Sequence, residues 1–258
     1  MDQLLAKQDL VNNPSTRVPI CLCLDVSGSM NRIIGGQTRS TGRKEFIDGK
    51  EWDIVEGGIS AIQSMCEGVN LFYDEILADD IARYAAEVCI VTFGGNKPEL
   101  IVDFGTVYLQ EDECKNVIPS LEAKGETPMG EAVNLALDCL ENRKQKYKSV
   151  GNDYFQPWLV LMTDGEPNGS VSELNRAIAR TNELANNRKL TIFPIGIGDG
   201  ADMKTLNRFS PRRPAVHLKN MNFKAFFEWL SKSVAKTSQS IPGSNVKLPD
   251  HSPWMELD

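Results

Sequence analysis

Val18-Pro19-Ile20-Cys21-Leu22-Cys23-Leu24-Asp25-Val26-Ser27-Gly28-Ser29-Met30 is the stretch that decides the fold. It opens as a short uncharged apolar run, the pattern of a strand buried on both faces. The run stops at a carboxylate, and two hydroxyls follow at alternate positions around a glycine. Open α/β sheets bind ligands in the crevice beyond the carboxyl ends of their strands. Asp25, Ser27 and Ser29 are hard oxygen donors, one charged and two neutral, a set that suits a small divalent cation keeping some of its water. The same three residues also read as a helix N-cap, where Asp and Ser are favoured.

Outward from this stretch, buried-strand patterns alternate with amphipathic ones. Glu87–Phe93 and Leu100–Phe104 read as strands close enough in sequence to pair as a hairpin at a sheet edge. Trp158–Asp164 repeats the opening pattern, an apolar run ending at aspartate with Gly165 after it. Leu190–Ile197 and Ala215–Leu218 complete the strands. Helical spacing marks residues 52–77, 111–118, 129–143, 171–187, 202–209 and 222–236. The fold expected is α/β: a doubly wound, mostly parallel six-stranded sheet with one antiparallel edge strand and helices on both faces. Residues 1–16 read as a polar arm, 17–237 as one domain, and 238–258 as an extended tail containing Pro242, Pro249 and Pro253. Residues 31–50, rich in Gly, Arg, Thr and Ser and without a clear period, read as a loop insertion longer than ordinary connections.

The composition excludes several functions. A net charge of -7 over 258 residues argues against nucleic-acid binding, which needs a basic surface. No apolar run approaches the roughly 20 residues that span a bilayer. The first residues do not have the pattern of a signal peptide, and none of the six cysteines forms a C-x-x-C pair. Both features lead to the expectation of a cytoplasmic chain with reduced, buried thiols.

Three segments deliver oxygen ligands to one sheet edge in such a fold. These are Asp25, Ser27 and Ser29 after the first strand, Thr127 in Gly125-Glu126-Thr127-Pro128 before a helix, and Asp164 in Thr163-Asp164-Gly165. Five oxygen groups with only two charges would hold a divalent cation and leave a coordination position for an outside ligand. Thr127 also reads as an N-cap ahead of Pro128 at the first helical position.

This three-part motif resembles the metal-ion-dependent adhesion site of the von Willebrand factor A domain family. The resemblance, which covers residues 17–237, implies a Rossmann-like fold and a protein-binding module rather than an enzyme. It implies Ser27, Ser29 and Thr127 as hydroxyl ligands of Mg²⁺ (or Mn²⁺ or Ca²⁺). It implies Asp25 and Asp164 as ligands held directly or through water, and a partner's Asp or Glu in the open position. Leu161–Pro167 and Pro194–Gly198 are similar to the bacterial tellurium-resistance (TerY-like) members. Those are associated with a protein kinase and a PP2C-type phosphatase in stress-response or phage-related systems.

Arg39, Arg43 and Lys44 in the insertion are candidate contacts to an acidic partner, and Glu126 and Glu166, which flank the ligands, are candidate partner contacts as well. The alternative is a Mg²⁺-dependent phosphoester hydrolase using the same ion with Glu126 or Glu166 as base. The sequence has no phosphate loop and no nucleophile elbow, and of its two histidines His217 reads as structural. Arg143, Lys144, Lys146 and Lys148 read as the solvated end of a helix. Trp229 lies off the apolar stripe of the last helix, and Trp254 lies in the tail; fold-back onto the domain is the ordinary expectation for both.

Overall fold

A computed structural model describes residues 3–47, 50–251 and 254–256. In chain order the elements are α1 (Gln3–Asn12), β1 (Val18–Asp25), β2 (Ile33–Ile47), β3 (Lys50–Ser60), α2 (Ala61–Ala78), α3 (Ala82–Ala85), β4 (Ala86–Phe93) and β5 (Glu99–Thr106). There follow α4 (Val107–Val117), α5 (Met129–Val150), β6 (Trp158–Thr163), α6 (Val171–Asn186), β7 (Thr191–Ile197), α7 (Met203–Arg208), β8 (Val216–Leu218), α8 (Phe223–Ser238) and β9 (Met255–Glu256). The main sheet runs β5-β4-β1-β6-β7-β8-β9. β1 pairs in parallel with both β4 and β6, β6 with β7, and β7 with β8, while β5 is antiparallel to β4. The six-stranded, mostly parallel sheet with one antiparallel edge is therefore present, with the two-residue β9 added antiparallel at the β8 edge.

All eight residues of β1 are buried because the strand has a helical layer on each side. Ile20, Leu22 and Leu24 point into the core shared with α2 and α8. Cys21 and Cys23 point into the core shared with α5 and α6. Since the chain leaves β1 in both directions across the sheet, β1 is the topological switch point. Its carboxyl end, where Asp25 stands, is where such sheets open a crevice.

The 31–50 stretch is not a loop. Its described part is mostly β2, which pairs antiparallel with β3 as a separate two-stranded ribbon. Residues 48 and 49 lie outside the described residues. The ribbon also corrects the helix expected over 52–77, for residues 52–60 are strand and α2 starts at Ala61. The start is set by a capping box, in which Ser60 Oγ accepts from the Gln63 N–H while Gln63 Oε1 accepts from the Ser60 N–H at 2.9 Å. Register shifts at Ile33/Gly35, Gly35/Thr38 and Ser40/Arg43 break the period-2 pattern that would have marked β2 in the sequence.

The basic cluster after residue 142 is also different from its reading. α5 continues to Val150, so Arg143 and Lys144 face inward and are buried, while Lys146 and Lys148 are exposed. Arg143 Nε meets Glu87 Oε2 at 2.5 Å, Arg17 Nε lies 3.4 Å from Glu87 Oε1, and the Tyr147 hydroxyl donates to Glu87 Oε2. Burial opposes the Arg143 charge, yet Glu87 holds it well above its ordinary range. Arg17 also donates to the carbonyls of Asp9, Asn13 and Tyr84, which ties the α1 arm to the sheet.

The tail folds back. Trp254 is buried with its ring 4.9 Å from both Phe226 and Trp229, and Trp229 Nε1 donates to Pro249 O at 3.1 Å. Pro253 lies outside the described residues. All six cysteines are free thiols, five of them buried. Among the described residues no helix is long and apolar enough to cross a membrane.

Candidate metal centre

The five predicted oxygen donors come together beyond the carboxyl ends of β1 and β6. Asp25 is the last residue of β1, and its Oδ1 accepts from the Ser27 N–H at 2.7 Å. The chain then turns into a short 3₁₀ segment, Gly28–Asn31, with Ser27 at the cap position. The Ser27 side chain makes no capping bond there. Its Oγ instead lies 3.1 Å from Ser29 Oγ, and Ser29 Oγ donates to Asp164 Oδ1 at 2.6 Å. Nor does Thr127 cap a helix: Pro128 itself is the N-cap residue of α5, and no side chain caps it. The capping reading of these hydroxyls therefore falls away.

Backbone contacts bring the segments into register. The Gly28 N–H donates to Gly125 O at 3.0 Å and the Lys124 N–H to Val26 O at 2.8 Å, joining the Thr127 loop to the Asp25 loop. The Thr127 N–H donates to Asn168 Oδ1 at 2.6 Å, and the Asn168 N–H returns a bond to Thr127 O at 3.2 Å. The packing depends on two glycines. A methyl group on Gly94 would fall 2.4 Å from Val26 O, and one on Gly125, whose φ is +67°, would fall 2.2 Å from Gly95 Cα. Gly165 faces the donors more loosely, since a methyl group there would lie 3.6 Å from Thr127 Oγ1 and 4.0 Å from Ser29 Oγ. A small cradle is thus left between the hydroxyls.

The electrostatics fit a cation. Asp25 is fully buried, and burial, followed by the charge of Asp164, pushes its carboxyl up to about 7 against the bonds from Ser27 and Thr163. Two carboxylates sharing a dry site repel each other, and a divalent ion between them would remove that cost. Among the described residues no three His, Cys, Asp or Glu side chains gather as a metal cluster. The donor set is instead two carboxylates and three hydroxyls, oxygen-only and suited to Mg²⁺, Mn²⁺ or Ca²⁺ rather than zinc.

The sequence reading missed the roles of Thr163 and Asn168. Thr163 Oγ1 donates to Asp25 Oδ2, orienting the buried carboxylate from the neighbouring strand. Only the register that sets Leu24 beside Met162 reveals this. Asn168 has no motif that would flag it. Glu126 and Glu166, which flank ligands, are both exposed. Arg39, Arg43 and Lys44 are exposed on β2, and Lys44 Nζ meets Glu51 Oε2 at 2.8 Å across the ribbon.

The sequence model of the von Willebrand factor type A domain matches residues 59–229, which is more than half of the chain. The chain belongs to the von Willebrand factor type A domain family. The match takes in Thr127 and Asp164 but begins beyond Asp25, Ser27 and Ser29 and the greater part of the ribbon. Solved structures, von Willebrand factor A domains among them, share the fold over most of the chain. One from Catenulispora acidiphila is 15% identical with a TM-score of 0.55, covering 86% of this chain and 43% of its own. The pilus adhesin SpaC from Lactobacillus rhamnosus GG is 14% identical with a TM-score of 0.62, covering 86% of this chain and 31% of its own. The von Willebrand factor domain of the type V pili tip protein Mfa5 from Porphyromonas gingivalis is 12% identical with a TM-score of 0.57, covering 89% of this chain and 99% of its own. This chain thus spans less than half of the first two. No curated protein matches. Von Willebrand factor A domains are in general interaction modules rather than enzymes.

Proposed function

We propose that this von Willebrand factor A domain is a metal-ion-dependent protein-binding module. Asp25, Ser27, Ser29, Thr127 and Asp164 hold a divalent cation, Mg²⁺ or its substitutes Mn²⁺ and Ca²⁺. The cation's remaining position accepts an Asp or Glu side chain of a partner protein. The observation that carries this reading is the convergence of three hydroxyls and two carboxylates from three separate segments, none of the hydroxyls spent on a helix cap. Two carboxylates balance the charge of the ion and no more, so it stays electrophilic towards an outside carboxylate.

The chain's own residues have plain tasks in this module. Thr163 and the Ser27 N–H fix the Asp25 carboxylate, and Asn168 fixes the Thr127 loop. Glu126 and Glu166 form an exposed acidic rim that disfavours wrong acidic partners. Arg39, Arg43 and Lys44 on the ribbon attract the right one. Hydrolysis is not favoured: Glu126 and Glu166 are exposed, and among the described residues no hydrogen bond fixes either carboxylate as a base.

The finer setting follows the resemblance of Leu161–Pro167 and Pro194–Gly198 to the TerY-like members. We assign the chain to a cytoplasmic stress-response or phage-related system of that tellurium-resistance type, with a protein kinase and a PP2C-type phosphatase as the partners to test. Six unpaired thiols support a reducing compartment. The test is capture of partners from the native host by wild-type protein in Mg²⁺, in EDTA and with Asp25→Ala. A partner retained only by wild type in Mg²⁺ is expected. Capture indifferent to both changes would contradict the proposal.

A further inference from the structure

Arg32 ends the segment that carries Ser27 and Ser29, and its N–H donates to Ser29 O at 2.9 Å. Its guanidinium has little to hold. Nη2 faces the Met221 sulfur at 3.8 Å, a weak acceptor, and Nε is buried with no acceptor among the described residues. Nε and Nη2 form one edge of the planar guanidinium, the edge that takes a carboxylate through two parallel hydrogen bonds. A buried donor left unmade is costly, so its retention needs a reason.

The location supplies one. The guanidinium lies on Gly198, in the turn after β7: a methyl group there would fall 2.6 Å from Arg32 Nη2 and 2.7 Å from Met221 Cε. The same turn abuts the second carboxylate segment, for a methyl group on Gly200 would fall 2.7 Å from Asp164 O. Arg32 thus follows Ser29 in sequence and lies against the turn that abuts the Asp164 segment. Met221 lies against the same fork, its sulfur 3.8 Å from Nη2. It sits just before α8, with Asn220 and Met221 both at φ +51°, a left-handed backbone that residues other than glycine rarely adopt. A flexible thioether on such a backbone is a readily displaced cover.

We propose that Arg32 is a second anion-binding group beside the metal centre, built for a partner carboxylate, and that Met221 is its displaceable cover. This rests on the metal-bridged reading above and deepens it. The partner segment carries two acidic side chains, one for the cation and one for the Arg32 fork. Arg39 and Arg43 extend the basic track along β2, both exposed and neither in an ion pair among the described residues.

The test uses the full chain loaded with Mg²⁺ and two sets of blocked peptides. One set has a single aspartate among glycines, and the other has two aspartates separated by zero to three glycines. At the best spacing the second aspartate tightens binding about tenfold in wild type. It shifts the Arg32 Nε–H resonance, identified by its absence from Arg32→Gln. Arg32→Gln loses the gain while its affinity for Mg²⁺ and for the single-aspartate peptide stays, Arg32→Lys restores part of it, and Met221→Ala enlarges it. An equal gain in wild type and Arg32→Gln, or no gain at any spacing, overturns the inference alone, provided the single-aspartate peptide binds only with Mg²⁺. If Mg²⁺ affects neither peptide set, the metal-bridged reading fails and the inference with it.

Discussion

Ser29 Oγ donates to Asp164 Oδ1 at 2.6 Å, joining the ends of two parallel strands across 135 positions of sequence. The bond fixes the distance between the loop after β1 and the carboxylate after β6, and it holds these candidate donors in place. Ser29→Ala removes a proposed ligand and this tie together. We expect Mg²⁺ affinity to fall about tenfold or more with little change in urea stability, since Ser29 is only half-buried. Titration calorimetry and urea unfolding on one preparation check this.

The Asp25 carboxyl, pushed up to about 7 from an ordinary 3.8, makes the metal-free protein pH-sensitive. A carboxyl raised in the folded state contributes stability that is full below its unfolded value and is lost as pH rises through the folded one. On this group's account, metal-free protein melts at a higher temperature at pH 5 than at pH 8. A cation displaces the proton, so apparent Mg²⁺ affinity rises about tenfold per pH unit towards 7 and then levels. Melting curves with and without Mg²⁺ at both pH values check both signs.

Glu87 pairs with two buried guanidiniums, those of Arg17 and Arg143, and Asp9 supplies a second carboxylate to Arg17. Glu87→Ala strands the Arg143 charge in the interior, while Arg17 keeps Asp9 Oδ2 at 3.5 Å, and should cost about 3–5 kcal/mol, the usual penalty for breaking a buried pair from one side. Urea unfolding measures it. Lys44→Ala, which breaks an ion pair more than half exposed at both ends, should change stability by less than about 1 kcal/mol.

The β2–β3 ribbon forms a sheet of its own. Replacing residues 36–58 by a short glycine linker between Gly35 and Ile59, which pair across its base, should leave the fold and Mg²⁺ affinity intact. Partner binding should weaken and lose part of its salt dependence, because Arg39, Arg43 and Lys44 go with the ribbon. Loss of Mg²⁺ binding in this variant would show that the ribbon helps build the centre.

Trp254 packs against Phe226 and Trp229 of α8, and the chain beyond it adds β9 to the sheet edge. Trp254→Ala should destabilise the protein by about 3–5 kcal/mol, as large aromatic truncations in cores do. Hydrogen exchange should quicken in α8 and not in α5, which the tail does not cover.

The sheet was legible because its inner strands are read without context. β1, β6 and β7 are buried on both faces and give uninterrupted apolar runs. The donor set was legible because strand ends in a parallel sheet share one edge, so Asp25, Thr127 and Asp164 needed only the strand order to meet. What was hidden depends on contacts between distant segments. β2 carries three register shifts and exposed polar residues, so no period survives to mark it. Arg143 looked like a solvated helix end because its buried partner, Glu87, lies 56 positions away. Arg32 and Met221 meet across 189 positions of sequence, and no spacing announces that.

The most direct measurement of the central claim is calorimetric titration of Mg²⁺ into metal-free wild type, Asp25→Ala and Thr127→Ala, each first shown by circular dichroism to be folded. A single-site isotherm for wild type that is lost or severely weakened in both variants is the predicted result. Superimposable isotherms for the three proteins would contradict the metal centre.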